Sequence, residues 1–312
     1  MKKKIMCSIL TISMAAALAA SGGSASKASS AASSAASEAA AAASSAASEA
    51  EAAASSAASE AAEAASSAVS EAEEPAADSD VAYIKEKGTL IVGITDFEPM
   101  DFKDDSGEWI GFDADMARMV AEDLGVTAEF VEIDWDNKIL ELENKSIDVV
   151  WNGMTLTDEV MNAMECTNAY CNNAQVVVLP GDGADQYADV DSVKELSFAV
   201  EAGSAGEAAA KENGFNYTAL TTQADTLMEV QAGTSDASII DLLMAGAMIG
   251  EGTSYPELVY TLELTEEKYG AGCRKGSDLA AFINDEFSKF YADGSMMEIA
   301  EQYGVQESIV EQ

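Results

Sequence analysis

Histidine is absent from the 312-residue sequence, and cysteine is rare. Without an imidazole the chain has no Ser-His-Asp triad, no histidine general base and no histidine-containing metal site. The four cysteines are Cys7, Cys166, Cys171 and Cys273, and no Cys-x-x-Cys pair occurs, so zinc and iron–sulfur sites have no support. We predict no metal, no cofactor and no catalytic residue. Cys166 and Cys171 form either a small disulfide loop in an oxidising compartment or two buried thiols.

Positive charge is also scarce. The sequence has 16 Lys and Arg against 56 Asp and Glu, a net charge of −40. Beyond residue 80 the counts are 12 basic and 46 acidic, so the acidity belongs to the globular part. A surface of this sign repels phosphate backbones and anionic membranes. We therefore predict that the protein binds no nucleic acid and does not adhere to a lipid surface.

Long apolar runs are missing as well. The run at residues 5–18 follows three lysines and precedes small residues, which is the layout of a secretory signal peptide over residues 1–20. Leu18-Ala19-Ala20 resembles a bacterial lipobox, but Ser21 stands where the lipid-bearing cysteine would be. Either an ordinary peptidase cuts near Ala19 or the segment is an altered lipoprotein signal. Both alternatives predict an extracytoplasmic protein, secreted or attached to the cell surface.

An eleven-residue repeat follows, starting at Ala31, Ala42, Ala53 and Ala64. Alanine and glutamate favour a helix, whereas the paired serines weaken it, and no large apolar seam runs along the repeat. Residues 21–80 are therefore predicted to be a solvated, partly helical stalk that carries out no chemistry.

From residue 81 onward the pattern is one of alternating strands and helices. Apolar, β-branched runs predict strands at 89–94, 128–133, 147–150, 175–179, 197–200 and 237–240. Helical periodicity with capping residues predicts helices at 111–124, 138–144, 204–213, 223–232, 242–250, 278–292 and 295–303, the first with Asp113 as its N-cap and Gly125 as its stop. Two such sets predict two α/β lobes with parallel sheets.

The order and spacing of short motifs resemble one known family. The motifs are GTLIVG at 88–93, GEWIGFDAD at 107–115, ID at 147–148, NGMTLT at 152–157, VEAGS at 200–204, DASIID at 236–241, YG at 269–270 and KGSDL at 275–279. Together they resemble the polar-amino-acid solute-binding proteins of ABC importers. The resemblance implies a two-lobed periplasmic-binding-protein fold of type II, no enzymatic activity, a small-molecule solute, ABC permease subunits as partners and a monomer.

The same resemblance implies a domain organisation. Residues 81–178 and 265–312 would form lobe one, and residues 179–264 would form lobe two. Two hinge strands, near 175–179 and 269–274, would cross between the lobes. The solute would bind in the cleft, and the lobes would close over it.

Pocket residues follow from the resemblance one by one. Phe97 and Trp135 would sandwich the ligand side chain, or else be ordinary core aromatics. The loop from Asn152 to Thr155 would offer polar partners, or be a simple strand-to-helix turn. Gly203 and Ser204 would offer free N–H groups to an anion. Asp241 would bind the α-ammonium or cap a helix. The full predicted set is Asp96, Phe97, Trp135, Asn152, Gly153, Met154, Thr155, Glu201, Gly203, Ser204 and Asp241.

One departure from the family decides the expected ligand. The family has an arginine that holds the ligand carboxylate where this chain has Val160, and neither Arg118 nor Arg274 is expected in the cleft. With Asp96 and Glu201 nearby, the predicted pocket is acidic and has no cation. Either backbone N–H groups near Thr155 and Ser204 hold a carboxylate, or the ligand is a net cation such as a basic amino acid or amine.

Other functions remain to be weighed against solute delivery. Some relatives of this fold are dehydratases, but such an enzyme needs a grip on the substrate carboxylate and a positioned acid or base. A ligand-sensing surface domain would need a fused signalling or membrane segment, and the sequence ends at Gln312 without one. A purely structural surface protein would fit the stalk but not the pocket motifs.

Overall fold

The computed structural model describes residues 79–312. The predicted signal peptide and the repeat lie outside the described residues. Within the described part, no helix is both long enough and apolar enough to cross a membrane.

The described chain alternates short strands and helices. The helices are α1 Asp80–Lys87, α2 Phe112–Leu124, α3 Lys138–Glu143, α4 Asp158–Ala163, α5 Val190–Val193, α6 Ala205–Asn213, α7 Gln223–Ala232, α8 Leu242–Met248, α9 Leu279–Asp293 and α10 Ser295–Tyr303. The strands are β1 Thr89–Ile94, β2 Phe102–Lys103, β3 Trp109–Ile110, β4 Thr127–Glu132, β5 Val149–Val150, β6 Glu165–Cys166, β7 Cys171–Asn173, β8 Gln175–Pro180, β9 Ser197–Glu201, β10 Asn216–Leu220, β11 Ala237–Asp241, β12 Leu258–Glu263, β13 Glu267–Tyr269 and β14 Gly272–Cys273. Single 3₁₀ turns lie at Trp135–Asn137, Ala184–Gln186 and Gln306–Ser308.

Two five-stranded sheets form the two lobes. The first has the order β4-β1-β5-β14-β6 and the second the order β10-β9-β11-β8-β12. In each sheet the first three strands are parallel, and the other two run antiparallel to their neighbours. The predicted two-lobed α/β class is confirmed. The sheets are mixed rather than wholly parallel, because β14 and β8 each follow a crossing between the lobes and enter from the opposite end.

The crossing between the lobes differs from the prediction. Segment 175–179 was expected to be a hinge strand, but β8 lies inside the second sheet between β11 and β12. The crossing is a separate two-stranded ribbon in which β13 pairs antiparallel with β7. The reason lies in the pattern: a Val-Val-Val-Leu run is typical of a strand buried on both faces, whereas the polar Asn172 and Asn173 of β7 carry no strand signal.

The start of α2 also differs from the prediction. Its N-cap is Gly111, at a φ of +126°, where a Cβ would lie 2.2 Å from the carbonyl oxygen of Met100. Only glycine fits this close approach. Asp113 is not the cap; it is fully buried within the first turn and faces the interior. The predicted stop at Gly125 is confirmed, since this residue ends the helix with a φ of +77°.

The cysteines in the described residues are free thiols. Cys171 and Cys273 are buried and Cys166 is partly buried, so the disulfide alternative is not formed. Burial raises the pKa of the Cys171 and Cys273 thiols, which makes both poor nucleophiles.

Candidate functional site

A cavity of about 440 Å³ lies between the two lobes. One wall comes from the carboxyl ends of β1 and β5 and from the 3₁₀ turn after β4; the other comes from the ends of β9 and β11 and the start of α6. Ten of the eleven predicted site residues line it: Phe97, Trp135, Asn152, Gly153, Met154, Thr155, Glu201, Gly203, Ser204 and Asp241. The cavity also contains Val160 and residues that the sequence analysis missed: Asp136, Lys138, Ile139, Thr157, Asp158, Glu159, Ala205, Glu207, Ala208, Lys211 and Gln223.

Asp96 is the predicted residue that does not line this cavity. It follows β1 directly, but its side chain is exposed, while Phe97 beside it turns inward. Burial of part of the Asp96 carboxyl and the nearby Glu132 charge raise its pKa. Adjacent residues in an extended segment point to opposite sides, so only one of the two could reach the cavity.

The two predicted aromatic residues form part of the wall. Phe97 is 2% exposed and meets Tyr269 edge-on, with ring centroids 6.2 Å apart. Trp135 is 8% exposed and packs in an apolar cluster with Met154 and Val160. Both rings are buried in the core and also line the cavity. The two alternatives from the sequence, a ring that contacts the ligand and an ordinary core aromatic, therefore do not exclude each other.

The Asn152 side chain is fully engaged inside the protein. Its Oδ1 accepts from the N–H and the hydroxyl of Thr95 at 3.0 and 2.7 Å, and its Nδ2 donates to the Thr95 carbonyl and to Asp101 at 3.0 and 2.8 Å. The expected contact between this side chain and a ligand therefore does not fit. Asn152 instead joins the end of β1 to the loop after β5.

The next residues of this loop are also anchored. The Gly153 N–H donates to Asp113 Oδ2 at 2.6 Å, and a Cβ at Gly153 would lie 2.4 Å from the Phe97 ring. The Thr155 hydroxyl donates to Glu267 at 2.9 Å. Asp113 is buried beneath the loop, and its desolvation raises its pKa to about 7. The loop is thus preorganised by contacts to residues distant in sequence.

The N-terminus of α6 does not offer the free donors that were predicted. The Gly203 N–H donates to Glu207 Oε2 at 2.8 Å. The Ser204 hydroxyl accepts from the Glu207 N–H at 3.1 Å and donates to the Glu201 carbonyl at 2.8 Å. Ser204 is therefore the N-cap of α6, and the Glu207 carboxylate occupies the place where an anionic ligand group was expected.

Asp241 is a carboxylate held entirely by neutral donors. Its Oδ1 accepts from Asn173 at 2.5 Å, Gln175 at 3.0 Å and Tyr269 at 2.6 Å, and its Oδ2 accepts from Gln223 at 2.6 Å. It makes no helix-cap bond, so the capping alternative does not hold. Burial and the Glu267 charge raise its pKa to about 7. Four donors fix the carboxylate in position without supplying a compensating positive charge.

Glu201 is the second buried carboxylate of the cavity. It is 3% exposed, and within residues 79–312 its Oε1 has no hydrogen-bond partner. Burial, followed by the nearby Asp241 charge, raises its pKa to about 8. A buried carboxylate oxygen without a donor is costly in free energy, so this group is suited to a ligand that brings a donor or a positive charge.

The expectation of a pocket without a cation is wrong. Lys138 and Lys211 both line the cavity. Lys211 pairs with Glu207 at 2.9 Å and is largely exposed. Lys138 is 7% exposed and lies over the Trp135 ring, 4.8 Å from its centroid. It begins a helix on the lobe-one side, and a charged residue at a helix start is ordinarily solvated, so no sequence pattern indicates its burial.

The arginine positions agree with the sequence analysis. Val160 is 5% exposed within the apolar cluster around Trp135, and it lines the cavity. Arg118 contacts Asp115 and the Trp109 carbonyl, and Arg274 contacts Asp80 and Asp148. Neither arginine lines the cavity, so the positive charge closest to a bound solute comes from lysine.

Two α/β lobes that enclose an acid-lined cavity define a protein that captures a small solute. The comparison with known families is direct: residues 90–306 match the bacterial extracellular solute-binding proteins, family 3. The chain belongs to this family.

Individual relatives agree with this assignment. The L-cystine-binding protein TcyJ of Escherichia coli (strain K12) is 26% identical over 229 residues, which cover 70% of this chain and 84% of TcyJ. The crystal structure of a mutant of ArgBP from T. maritima has a TM-score of 0.67 at 30% identity, covering 72% of this chain and 98% of that chain. The ancestral amino acid-binding protein AncCDT-1, a precursor of cyclohexadienyl dehydratase, has a TM-score of 0.66 at 30% identity, covering 72% and 99%.

Proposed function

We propose that this chain captures an amino acid or another amine-bearing solute outside the cytoplasm and delivers it to the permease of an ABC importer. The observation that carries the proposal is the pair of buried carboxylates, Asp241 and Glu201, on one wall of the enclosed cavity. Neither has a cation within ion-pair distance in the described chain. An ammonium group would supply the missing donor, and its positive charge would favour the ionised form of both carboxyl groups.

The ligand class follows from which groups are still open to a solute. Asp241 Oδ2 has one protein donor and Glu201 Oε1 has none. The N–H of Gly203 is occupied by Glu207, which argues against an anionic group held at the start of α6. Of the two alternatives, a ligand with net positive charge, such as a basic amino acid, is therefore the better supported.

Capture would take place by closure of the two lobes. Lys138 on the lobe-one side donates to the Gly203 carbonyl on the lobe-two side at 2.9 Å. A Cβ at Gly203 would lie 2.7 Å from Asp136 Oδ1, so the two walls are already in close contact. Such contacts exist only when the lobes are together, and a ligand that touches both walls stabilises this form.

The proposal includes a partner and a location. The protein would act as a monomer, and the closed form would dock on ABC permease subunits. The leader at residues 1–20 would export it, and the stalk at 21–80 would hold the binding domain away from the surface to which it is attached. Ser21 in place of the lipid-bearing cysteine supports secretion or another attachment over a lipid anchor.

We propose no catalytic role. The family and the named relatives are binding proteins, and AncCDT-1 is described as a precursor of a dehydratase rather than as one. Glu201, with its raised pKa, is the group that a catalytic role would use, so turnover is a useful control in the binding assay.

A thermal-shift screen of the purified protein tests the proposal. The panel contains L-arginine, L-lysine, L-cystine, L-leucine and L-glutamate, with the amines agmatine, cadaverine and cystamine. A solute at 100 times its dissociation constant adds about 2.7 kcal/mol to the free energy of unfolding and raises the melting temperature by a few degrees.

We expect a cationic member to give this shift and Asp241→Asn to abolish it. The matched control, Asp182→Asn, removes an exposed carboxylate from the same lobe and should leave the shift unchanged. A panel without any shift, or turnover of a bound solute, would refute the proposal.

A further inference from the structure

Lys138 is a buried ammonium group without a contact carboxylate. It is 7% exposed, and none of the ion pairs in the described chain includes it. Its Nζ donates to the Trp135 carbonyl at 3.1 Å and to the Gly203 carbonyl at 2.9 Å. An ammonium group has three N–H donors, so one remains after these two bonds.

The position of this ammonium group is fixed on three sides. The Trp135 ring lies beneath it, the Trp135 carbonyl belongs to lobe one, and the Gly203 carbonyl belongs to lobe two. Burial lowers the Lys138 pKa, while the charges of Glu201 and Asp136 act in the opposite direction. A cation that has left water without an ion-pair partner is destabilising on its own, and a ligand anion would offset this cost.

Lys138 also lies in the cavity that contains Val160, the position at which the resembled family has a positively charged residue. Val160 is apolar at the position where the resembled family has its carboxylate-binding arginine, and Val160 and Lys138 line the same cavity. Val160 packs in one cluster with Trp135, the residue on whose ring Lys138 rests. The lysine is thus next to the wall from which the arginine would have reached the ligand.

We propose that Lys138 binds the carboxylate of the solute, in place of the arginine that Val160 has replaced, while Asp241 binds its ammonium group. Lys138 is then a specificity residue: it makes the protein prefer an amino acid to the amine of the same side chain. Because Lys138 also donates to the Gly203 carbonyl on the other lobe, it would bind the ligand carboxylate in this position only when the two lobes are closed. The inference rests on the proposed function and adds to it the acid-over-amine preference.

Pairs of ligands that differ by a carboxylate test the inference. The probes are L-arginine with agmatine, L-lysine with cadaverine and L-cystine with cystamine, measured by isothermal titration calorimetry on the wild type, Lys138→Met and Lys194→Met. Methionine keeps most of the apolar stem of lysine without the charge. Lys194→Met makes the same change at an exposed lysine on lobe two and serves as the control.

We expect Lys138→Met to bind the acid of a pair about 10- to 100-fold more weakly, as for the loss of a hydrogen bond to a charged group. The amine should lose less than the acid, because it has no carboxylate for Lys138 to bind and shares only the loss of the Gly203 contact. If the variant lost equal affinity for acid and amine, Lys138 would contribute only its contact between the lobes, and the inference would be overturned. No loss of affinity for either ligand would overturn it as well. The control should bind like the wild type.

A second variant covers the case in which Lys138→Met folds poorly. Lys138→Met combined with Val160→Arg returns a cation to the same wall and should restore the preference for the acid. A double variant that folds, as judged by its melting temperature, but does not distinguish acid from amine would overturn the inference. If no acid of the three pairs binds the wild type, the proposed ligand class itself fails, which is a different result from a change in preference.

Discussion

Glu201→Gln should remove a large part of the pH dependence of stability. Glu201 is 3% exposed, and burial raises its pKa to about 8 in the folded protein, above the value of about 4.5 for a solvated glutamate. Between these two values the folded state holds a proton that the unfolded state has released. The free energy of unfolding therefore falls as the pH rises through this window, and it is highest below pH 4.5.

The magnitude follows from the width of the window. Each pKa unit corresponds to about 1.4 kcal/mol, so Glu201 lowers the free energy of unfolding by about 3 kcal/mol between pH 4.5 and pH 7. Glutamine has nearly the same shape but does not titrate. The buried carboxyls Asp101 and Asp113 also have raised pKa values, but they are present in both proteins and cancel in the comparison. The Asp241 charge contributes to the raised pKa of Glu201 itself and is part of the effect.

The measurement is urea unfolding of the ligand-free wild type, Glu201→Gln and the control Glu195→Gln at several pH values from 4.5 to 8. Glu195 is an exposed glutamate of the same lobe. The difference in unfolding free energy between Glu201→Gln and the wild type should grow by about 3 kcal/mol from pH 4.5 to pH 7. A difference that stays constant across the range would refute the reasoning, because it would mean that Glu201 ionises as freely in the folded protein as in the unfolded one.

Three further predictions follow from single contacts. Gly203→Ala places a Cβ 2.8 Å from Asp136 Cα across the cleft, so it should destabilise the closed form by about 1–3 kcal/mol and weaken solute binding in calorimetry. The control is Gly214→Ala, which should bind solute normally: Gly214 has a φ of +69°, nearly the +70° of Gly203, but a Cβ there meets no atom within 4 Å. Asn152→Ala removes four hydrogen bonds and leaves buried Asp101 without its amide partner. The free energy of unfolding, measured in urea, should therefore fall by about 3 kcal/mol, and a fall of less than about 1 kcal/mol would contradict this. Iodoacetamide should label Cys166 in the native protein but Cys171 and Cys273 only after denaturation, and labelling of Cys171 or Cys273 before Cys166, detected by mass spectrometry of the peptides, would contradict this. Because all three cysteines are free thiols, dithiothreitol should leave the melting temperature unchanged.

The sequence determined those elements that depend on neighbouring residues. Helix α7 begins after the Thr222 cap and ends at Gly233, and its predicted bounds are the observed ones. Strand β1 was likewise predicted with its observed bounds. Capping and periodicity act over one or two turns of chain, so a local pattern contains the information. The motif order was enough to predict the two-lobed class, and most predicted pocket residues line one cavity.

The tertiary structure alone decided what these residues do in the cavity. Asn152 and Thr155 were expected to serve the ligand, but their side chains are bonded to Thr95, Asp101 and Glu267. The chain crosses between the lobes in β7 and β13, and the paired residues of these two strands are more than 90 positions apart in sequence. Lys138 meets the Gly203 carbonyl across 65 residues of sequence, and no local pattern distinguishes it from an exposed helix lysine. Whether a polar group is free for a ligand depends on which distant groups reach it first, and only the packing of the two lobes fixes those contacts.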